Sequence, residues 1–317
     1  MKIVMLEPIG ISEVELEELA LKFKTQGHEF VAYDNRVESD EEIIKRAKDA
    51  NILIITNLPL SAKVIESCPK LEMISVAFTG IDHLAIDACK KNKITVCNSS
   101  GYANQAVAEL SFGLMISVMR EMITCDQVTR EEKTRAGLVG NEISGKTLGI
   151  IGAGAIGMEV AKLGKAFGCD LLAFNRSQDE RAKDLGMEYV GLDTLLKESD
   201  IVSLHLPLTE QTEGLIDEEK IALMKEDSIL INVARGPIVD SKALASALEK
   251  GEIAGAGIDV FEMEPPIPKD HPLLNSPNTV VTPHVAFATE ESFQKRAKIV
   301  FNNIEAWLAG KPQNLMV

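Results

Sequence analysis

Short apolar runs rich in Ile and Val recur along the first third of the chain: "KIVML", "EFVAYD", "NILIIT", "LEMISVAF" and "ITVCN". Between them lie segments with helical spacing, such as "SEVELEELALKFKTQG" and "SDEEIIKRAKDA". Ser12 and Ser39 read as N-caps ahead of acidic first turns, and Gly27 reads as a C-terminal stop. Strand and helix in alternation predict a parallel sheet covered on both faces. One long helical stretch follows, "NQAVAELSFGLMISVMREMITCDQVTREEKTR", whose "REEKTR" end reads as a solvated face or the start of an exposed arm. The alternation then restarts at "KTLGIIGAGAIG" and runs through "DLLAFN", "IVSLHLP", "SILINVA", "IAGAGID" and "TVVTPH". "ATEESFQKRAKIVFNNIEAWLAG" reads as one closing amphipathic helix. There is no short repeat or low-complexity tract, so the α/β chain is predicted to hold two sheets that are not duplicated copies.

With 317 residues the chain can bury two cores of ordinary size. Its 45% hydrophobic and 26% charged content is that of a globular protein. No apolar run reaches the roughly 18 residues of a membrane span. "MKIVMLEPIG" breaks at Glu7 and Pro8 and fits a first buried strand better than a signal peptide, so a cytoplasmic location is expected. A formal charge of −15 argues against nucleic acid and acidic membranes as partners. Anions would have to be held by local arginines and backbone amides. Cys68, Cys89, Cys97, Cys125 and Cys169 show no CxxC spacing and read as reduced, mostly buried thiols. No His/Asp/Glu spacing suggests a metal.

"GIIGAGAIGMEVAKLG" places Gly152, Gly154 and Gly157 in a G-x-G-x-x-G pattern. The pattern alone is weak, but here it follows an apolar strand and opens a helix expected from about Ala155 to Phe167, the context a dinucleotide site requires. Gly152 permits the tight turn, Gly154 lets backbone approach a pyrophosphate, and Gly157 lets helix pack on strand. The alternative is a glycine-rich turn packed for its own sake. About 20 residues further on, an acid commonly holds the ribose hydroxyls. The chain has Asn175, Arg176 and Ser177 there. Asn175 cannot repel a 2′-phosphate, Arg176 can pair with one and Ser177 can donate to it, so NADP(H) is favoured over NAD(H). The plainer reading has Arg176 in solvent and Asn175 serving NAD.

Three polar residues fall after strands, where a parallel sheet places functional loops: Arg235 after "ILINVA", Glu264 past "GAGIDVF", and His284 after "TVVTP". Arg offers a planar fork for a carboxylate, and His is the natural proton donor near neutral pH. Glu beside His would fix its tautomer and favour the protonated ring. Taken singly, Arg235 reads equally as a surface pair and Glu264 as a solvated side chain.

Taken together, "GIIGAGAIG", "HLPLTEQTEGLI", "INVARGPIVD", "AGIDVFEMEPP" and "TPHVAFAT", with "FTGIDHLAID" and "NSSGYANQAVAELSFGLM" before them, resemble the D-2-hydroxyacid dehydrogenase family over essentially the whole chain. The resemblance implies two Rossmann- or flavodoxin-like parallel-sheet domains with the active site in the cleft between them. It places a substrate domain at 1–99 plus 285–317 and a dinucleotide domain at 100–284. It implies that Arg235 binds the substrate carboxylate and polarises the keto oxygen, that His284 is the acid/base and that Glu264 orients it. Backbone amides at Thr79 and Gly80 would hold the carboxylate's other side, and Asp259 would bind the nicotinamide carboxamide. Leu206, Pro207, Val233 and Ala234 would line the dinucleotide, with Val107, Ala155, Ile156, Thr212 and Ala286 completing its site. The implied activity is reduction of a small 2-oxo acid, of the hydroxypyruvate or glyoxylate class, by a homodimer.

The chain departs from this pattern in places. The arm "TRAGLVGNEISGKT" lacks the tryptophan common there and looks short. Phe287 stands where glycine, serine or tryptophan is common, and Phe78 sits beside the substrate loop, so both would narrow the pocket. His28 and His271 sit in turn-like contexts and read as solvated, His205 as packed near the cofactor, and His83 as capping or packing in the substrate domain. Two alternatives stay open. A phosphoglycerate dehydrogenase-like enzyme is disfavoured by the chain's ending at Val317 without a regulatory domain. A dinucleotide-sensing, corepressor-like binding protein is disfavoured by the acidic charge and the lack of tails. Formate dehydrogenases pair the His with Gln, and Glu264 argues against them.

Overall fold

The five apolar runs of the first third form strands β1 (Lys2–Met5), β2 (Glu29–Ala32), β3 (Ile52–Ile55), β4 (Met73–Val76) and β5 (Thr95–Cys97) in a computed structural model that describes residues 1–317. They pair in parallel in the order β2-β1-β3-β4-β5. Every residue of β3 and β4 is buried, which is why these strands read as unbroken apolar runs rather than alternating ones. Ser12 caps the helix Glu13–Thr25 in a capping box with Glu15, and Ser39 accepts from the Glu42 amide. The closing helix Glu290–Leu308 returns to this sheet. Its Phe301 packs on Phe23 at 5.8 Å between ring centroids, and Ser75 Oγ donates to the Val300 carbonyl at 3.1 Å. Each such fully buried aliphatic or aromatic side chain contributes roughly 1.5–3 kcal/mol. These segments make one unit, Met1–Ala103 with Ala288–Val317.

The second unit, Asn104–Phe287, holds β6 (Thr147–Ile151), β7 (Asp170–Phe174), β8 (Glu188–Tyr189), β9 (Ile201–Leu204), β10 (Ile229–Asn232), β11 (Gly255–Ile258) and β12 (Thr279–Val281). Their order is β12-β11-β10-β9-β6-β7-β8, again all parallel. The order reverses between β6 and β9, and the carboxyl ends there form the crevice in which such sheets bind ligands. The glycine loop follows β6 at that point.

Three boundaries differ from those read in the sequence. Residues 100–103 belong to the Met1–Ala103 unit and not to the dinucleotide unit. Val285, Ala286 and Phe287 belong to the Asn104–Phe287 unit, because the Asp259 carboxylate at the end of β11 accepts the Val285 and Ala286 amides at 2.8 and 2.9 Å. The long helical stretch is two helices, Asn104–Met119 and Met122–Arg130, with Glu121 left-handed at φ 47° between them. The cause is tertiary: the Asn141 amide claims the Met119 carbonyl at 2.8 Å, and Gly140 lies so close that a Cβ there would sit 2.6 Å from that oxygen. No helix of the chain is long and apolar enough to cross a membrane.

Candidate active site

The three loop glycines meet three different surroundings. Gly152, at φ +100°, lies against the His205 backbone, and a Cβ would come within 2.5 Å of the His205 carbonyl oxygen. At Gly157 a Cβ would stand 2.2 Å from the Gly152 carbonyl oxygen, so glycine is what lets the helix Ala155–Ala166 close on its strand. Gly154 has nothing within 4 Å of its Cβ position, is exposed, and caps that helix without any side-chain hydrogen bond. An open glycine ahead of uncapped helical N–H groups suits a pyrophosphate, so these residues fit a dinucleotide. Ala155 is exposed and Ile156 half-buried beside it.

Beyond β7, Asn175 folds over the turn and donates from Nδ2 to the Ser177 carbonyl at 2.7 Å, while Arg176 and Ser177 are exposed. An acid does stand nearby, Asp179, but Arg181 binds it through two nitrogens and holds its carboxyl down at about 2. That carboxylate is already matched by a guanidinium. After β9, Leu206 packs beside Gly152, and Thr212 Oγ1 closes the Pro207–Thr212 turn by donating to the Pro207 carbonyl at 2.7 Å. Val107, Val233, Ala234 and Ala286 are buried apolar residues.

Arg235 follows β10 in an extended conformation and opens the short turn Gly236–Ile238. Its backbone is set by Asn232, which is 1% exposed. Asn232 Nδ2 donates to the Arg235 carbonyl at 3.0 Å, and its Oδ1 accepts the Ala234 amide at 3.0 Å. The guanidinium donates to the Ala234 carbonyl at 2.8 Å. Gly236 then presses onto the next loop: a Cβ would overlap the Phe261 carbonyl carbon at 1.9 Å.

That next loop brings Glu264 to His284. Both Glu264 carboxylate oxygens lie within 3.0 Å of His284 Nδ1. The imidazole is 13% exposed and the carboxylate 58%. His284 has φ 56°, a left-handed conformation that costs a non-glycine residue roughly 1–3 kcal/mol and persists only where surroundings enforce it. Here its amide donates to the carbonyls of Asp259 at 2.8 Å and Thr282 at 3.1 Å. The Phe287 ring stands edge-on to the imidazole at 5.4 Å and 87°.

Asp259 follows β11. It is fully buried, and its carboxylate accepts the Thr282 hydroxyl and the Val285 and Ala286 amides. These bonds hold the His284 loop. Burial pushes its carboxyl pKa up, against those three hydrogen bonds.

In the other unit, Thr79 is exposed and Gly80 half-buried on the loop after β4. Asn98 Nδ2 donates to the Thr79 carbonyl at 2.7 Å, the Ser99 amide to the Phe78 carbonyl at 2.9 Å and Ser99 Oγ to the Val76 carbonyl at 2.9 Å. Asn232, Asn98 and Ser99 were not singled out in the sequence. Their signal is a buried polar residue ending an apolar strand, which must find partners and here finds them in the adjacent loop.

The remaining candidates sort clearly. Burial lifts the thiols of Cys68, Cys89, Cys97 and Cys169 to about 11, so none is a ready nucleophile. His271 is not solvated as its context suggested: it is 8% exposed and bonds Glu262. His205 bonds Ser203 Oγ through Nε2 at 2.8 Å, while Nδ1 is sealed and unpartnered. Burial pushes His205 down to about 3, so it stays neutral and is no acid. The unfolded chain binds this proton near pH 6.5 and the folded one only near 3, so the stability it lends is present above pH 6.5 and lost as pH falls toward 3. His205→Asn is expected to flatten the fall in melting temperature between pH 6.5 and 4.5, where this group accounts for up to about 2–3 kcal/mol. A wild-type slope in the variant rejects the assignment.

Residues 112–286 match the family model described as "D-isomer specific 2-hydroxyacid dehydrogenase, NAD binding domain". The chain is similar to a glyoxylate reductase of Korarchaeum cryptofilum, 40% identical over 89% of this chain and 87% of the relative. It is also similar to a hydroxypyruvate reductase of Blautia hydrogenotrophica, 33% identical over 100% and 99%. Among solved structures it resembles the acyclic imino acid reductase Bsp5 in complex with NADPH and D-Arg, with a TM-score of 0.91, 31% identity and full coverage of both chains. With the glycine loop, the arginine turn and the Glu–His pair in place, the chain belongs to the D-isomer specific 2-hydroxyacid dehydrogenase family and is an NAD(P)-dependent oxidoreductase.

Proposed function

We propose that the protein reduces a small 2-oxo acid of the glyoxylate or hydroxypyruvate class to the D-2-hydroxy acid, with NADPH preferred. The observation that carries this reading is the Glu264–His284 pair: with Nδ1 committed to the carboxylate, Nε2 is the nitrogen that exchanges a proton with substrate. When bound, the reduced nicotinamide supplies a hydride for the carbonyl carbon. Arg235 binds the substrate carboxylate through its planar fork and stabilises the charge that develops on the keto oxygen. His284 delivers the proton to that oxygen, and Glu264 keeps the imidazole in the donating tautomer. Thr79 and Gly80 keep the carboxylate-holding role the resemblance implies, supported by the bracing of their loop from Asn98 and Ser99. Gly152, Gly154 and Gly157 hold the dinucleotide's pyrophosphate at the helix terminus. The reading is of a small substrate because Phe287 stands against the imidazole and takes up space beside it.

The NADPH preference rests on Arg176 being exposed and on Asp179 being neutralised by Arg181. Oxidation of NADPH and NADH is measured separately with glyoxylate, hydroxypyruvate and a bulkier 2-oxo acid, on wild type and Arg176→Ala. NADPH is expected to win by kcat/KM, with at least about tenfold of the advantage lost in the variant, as for one charge-assisted contact. A preference for NADH removes the 2′-phosphate reading and leaves the reductase assignment intact. No turnover with any of these acids removes the substrate class.

A homodimer is part of the same reading. Met122, Ile123 and Val139 expose 49%, 54% and 76% of their surface on and after the helix Met122–Arg130, apolar area that a second copy could cover. Sedimentation is expected to give the mass of two chains, and a monomer mass rejects it.

A further inference from the structure

The loop that carries Glu264 is poorly held by its own packing. From Glu262 to Asp270 every residue is exposed except Ile267, which is half-buried. Yet Glu264 must hold its carboxylate within 3.0 Å of His284 Nδ1. Within the loop Ile267 packs against the core, and at the loop's neck His271 Nε2 and a Glu262 carboxylate oxygen stand 2.9 Å apart. His271 is 8% exposed, its amide donates to the Pro268 carbonyl at 3.0 Å, and the Phe261 ring meets it edge-on at 5.1 Å. It opens the turn Pro272–Leu274, whose Leu273 is 2% exposed in the core. His271 is thus fixed to the core, Glu262 to His271, and Glu264 follows two residues after Glu262.

The same carboxylate also reaches the Arg235 side. Ser241, the first residue of the helix Ser241–Lys250, is its second hydrogen-bonding partner, and the Phe261–Glu262 peptide lies on Gly236. Burial works against the charge on Glu262, but the bonds from Ser241 and His271 together hold its carboxyl below the usual range, so it is the acceptor. The Glu262 carboxylate thus joins Ser241 to the neck of the loop that bears Glu264, while its backbone rests on Gly236.

We propose that Glu262 and His271 form a positioning clamp, closing the neck of the loop so that Glu264 is held against His284. The clamp rests on the acid–base reading of Glu264 and His284 above. Neither clamp residue is assigned a contact with substrate; they act through Glu264. A contact that served stability alone would be felt in unfolding and not in turnover.

The test uses the full chain with hydroxypyruvate and either dinucleotide, reading kcat, KM for both substrates and melting temperature. His271→Leu keeps bulk and loses the donor; His271→Gln keeps a donor near the Nε2 position. In the leucine variant kcat is expected to fall roughly tenfold, as for a misplacement of well under 1 Å, with the dinucleotide KM unchanged. The glutamine variant is expected to recover most of this. In a Glu264→Gln background the leucine change is expected to add nothing to the loss in kcat. If kcat stays within about twofold while only the melting temperature falls, or if leucine and glutamine fall alike, the clamp is overturned. Should His271→Leu not fold, Glu262→Gln reads the same pair, and an unchanged kcat there overturns it. If Glu264→Gln and His284→Asn themselves retain wild-type turnover, the acid–base reading falls and the clamp with it. If those two collapse and His271→Leu does not, only the clamp falls.

Discussion

His284→Asn is expected to lower kcat by about 10²–10⁴-fold, the usual contribution of a positioned acid, while melting temperature and dinucleotide affinity stay near wild type. Asparagine is the informative replacement for two structural reasons. At φ 56° the position is left-handed, which asparagine tolerates far better than alanine, leucine or a β-branched residue. The asparagine Nδ2 also lies near where His284 Nδ1 donates, so Glu264 keeps a partner and is not left to distort its loop. What the variant lacks is the second ring nitrogen, the one that exchanges a proton with substrate. Steady-state kinetics, a thermal melt and a dinucleotide titration separate these effects. A variant within tenfold of wild type would show that His284 is not the acid. A variant that melts early would instead show that the imidazole itself holds the loop.

Much of this arrangement is legible in the sequence, and the parts that are not share a cause. The strand runs, the Ser12 and Ser39 caps and the three loop glycines are local signals, each read within a few residues. Arg235, Glu264 and His284 stand out because they are polar residues following apolar strands. The break at Glu121 is invisible locally, because the group that takes the Met119 carbonyl arrives from Asn141, 22 positions on (141 − 119). His271 sits among Lys269, Asp270 and Pro272, which suggest a solvated turn, but Phe261 and Glu262 cover it. The bonds from the Val285 and Ala286 amides to Asp259 are equally invisible locally, because they depend on the left-handed turn at His284. In each case long-range pairing of a polar group decides the outcome, and sequence pattern carries little of that information.

Gly236→Ala is expected to be as damaging to turnover as loss of a side chain that performs chemistry, although the position carries none. A Cβ there would lie 1.9 Å from the Phe261 carbonyl carbon, 2.0 Å from its oxygen and 2.5 Å from the Glu262 nitrogen. All three are backbone atoms, so no rotamer change relieves the overlap, and the two loops must separate by more than 1 Å to reach ordinary contact, roughly 3.4 Å or more. Overpacking of this kind costs about 3 kcal/mol or more, which for a domain of this size lowers the melting temperature by roughly 6–12 °C. Separation moves Arg235, one residue before the overlap, away from Glu264, two residues after Glu262. A displacement of about 1 Å in a catalytic arrangement costs on the order of 100-fold in kcat. Gly154→Ala is the contrasting control, since nothing lies within 4 Å of its Cβ position. It is expected to melt like wild type and to raise the dinucleotide KM where the added methyl meets the pyrophosphate, with kcat largely kept at saturation. If Gly236→Ala instead behaves like Gly154→Ala, stable and impaired only in dinucleotide binding, then the contact between the arginine turn and the glutamate loop does not set the catalytic geometry.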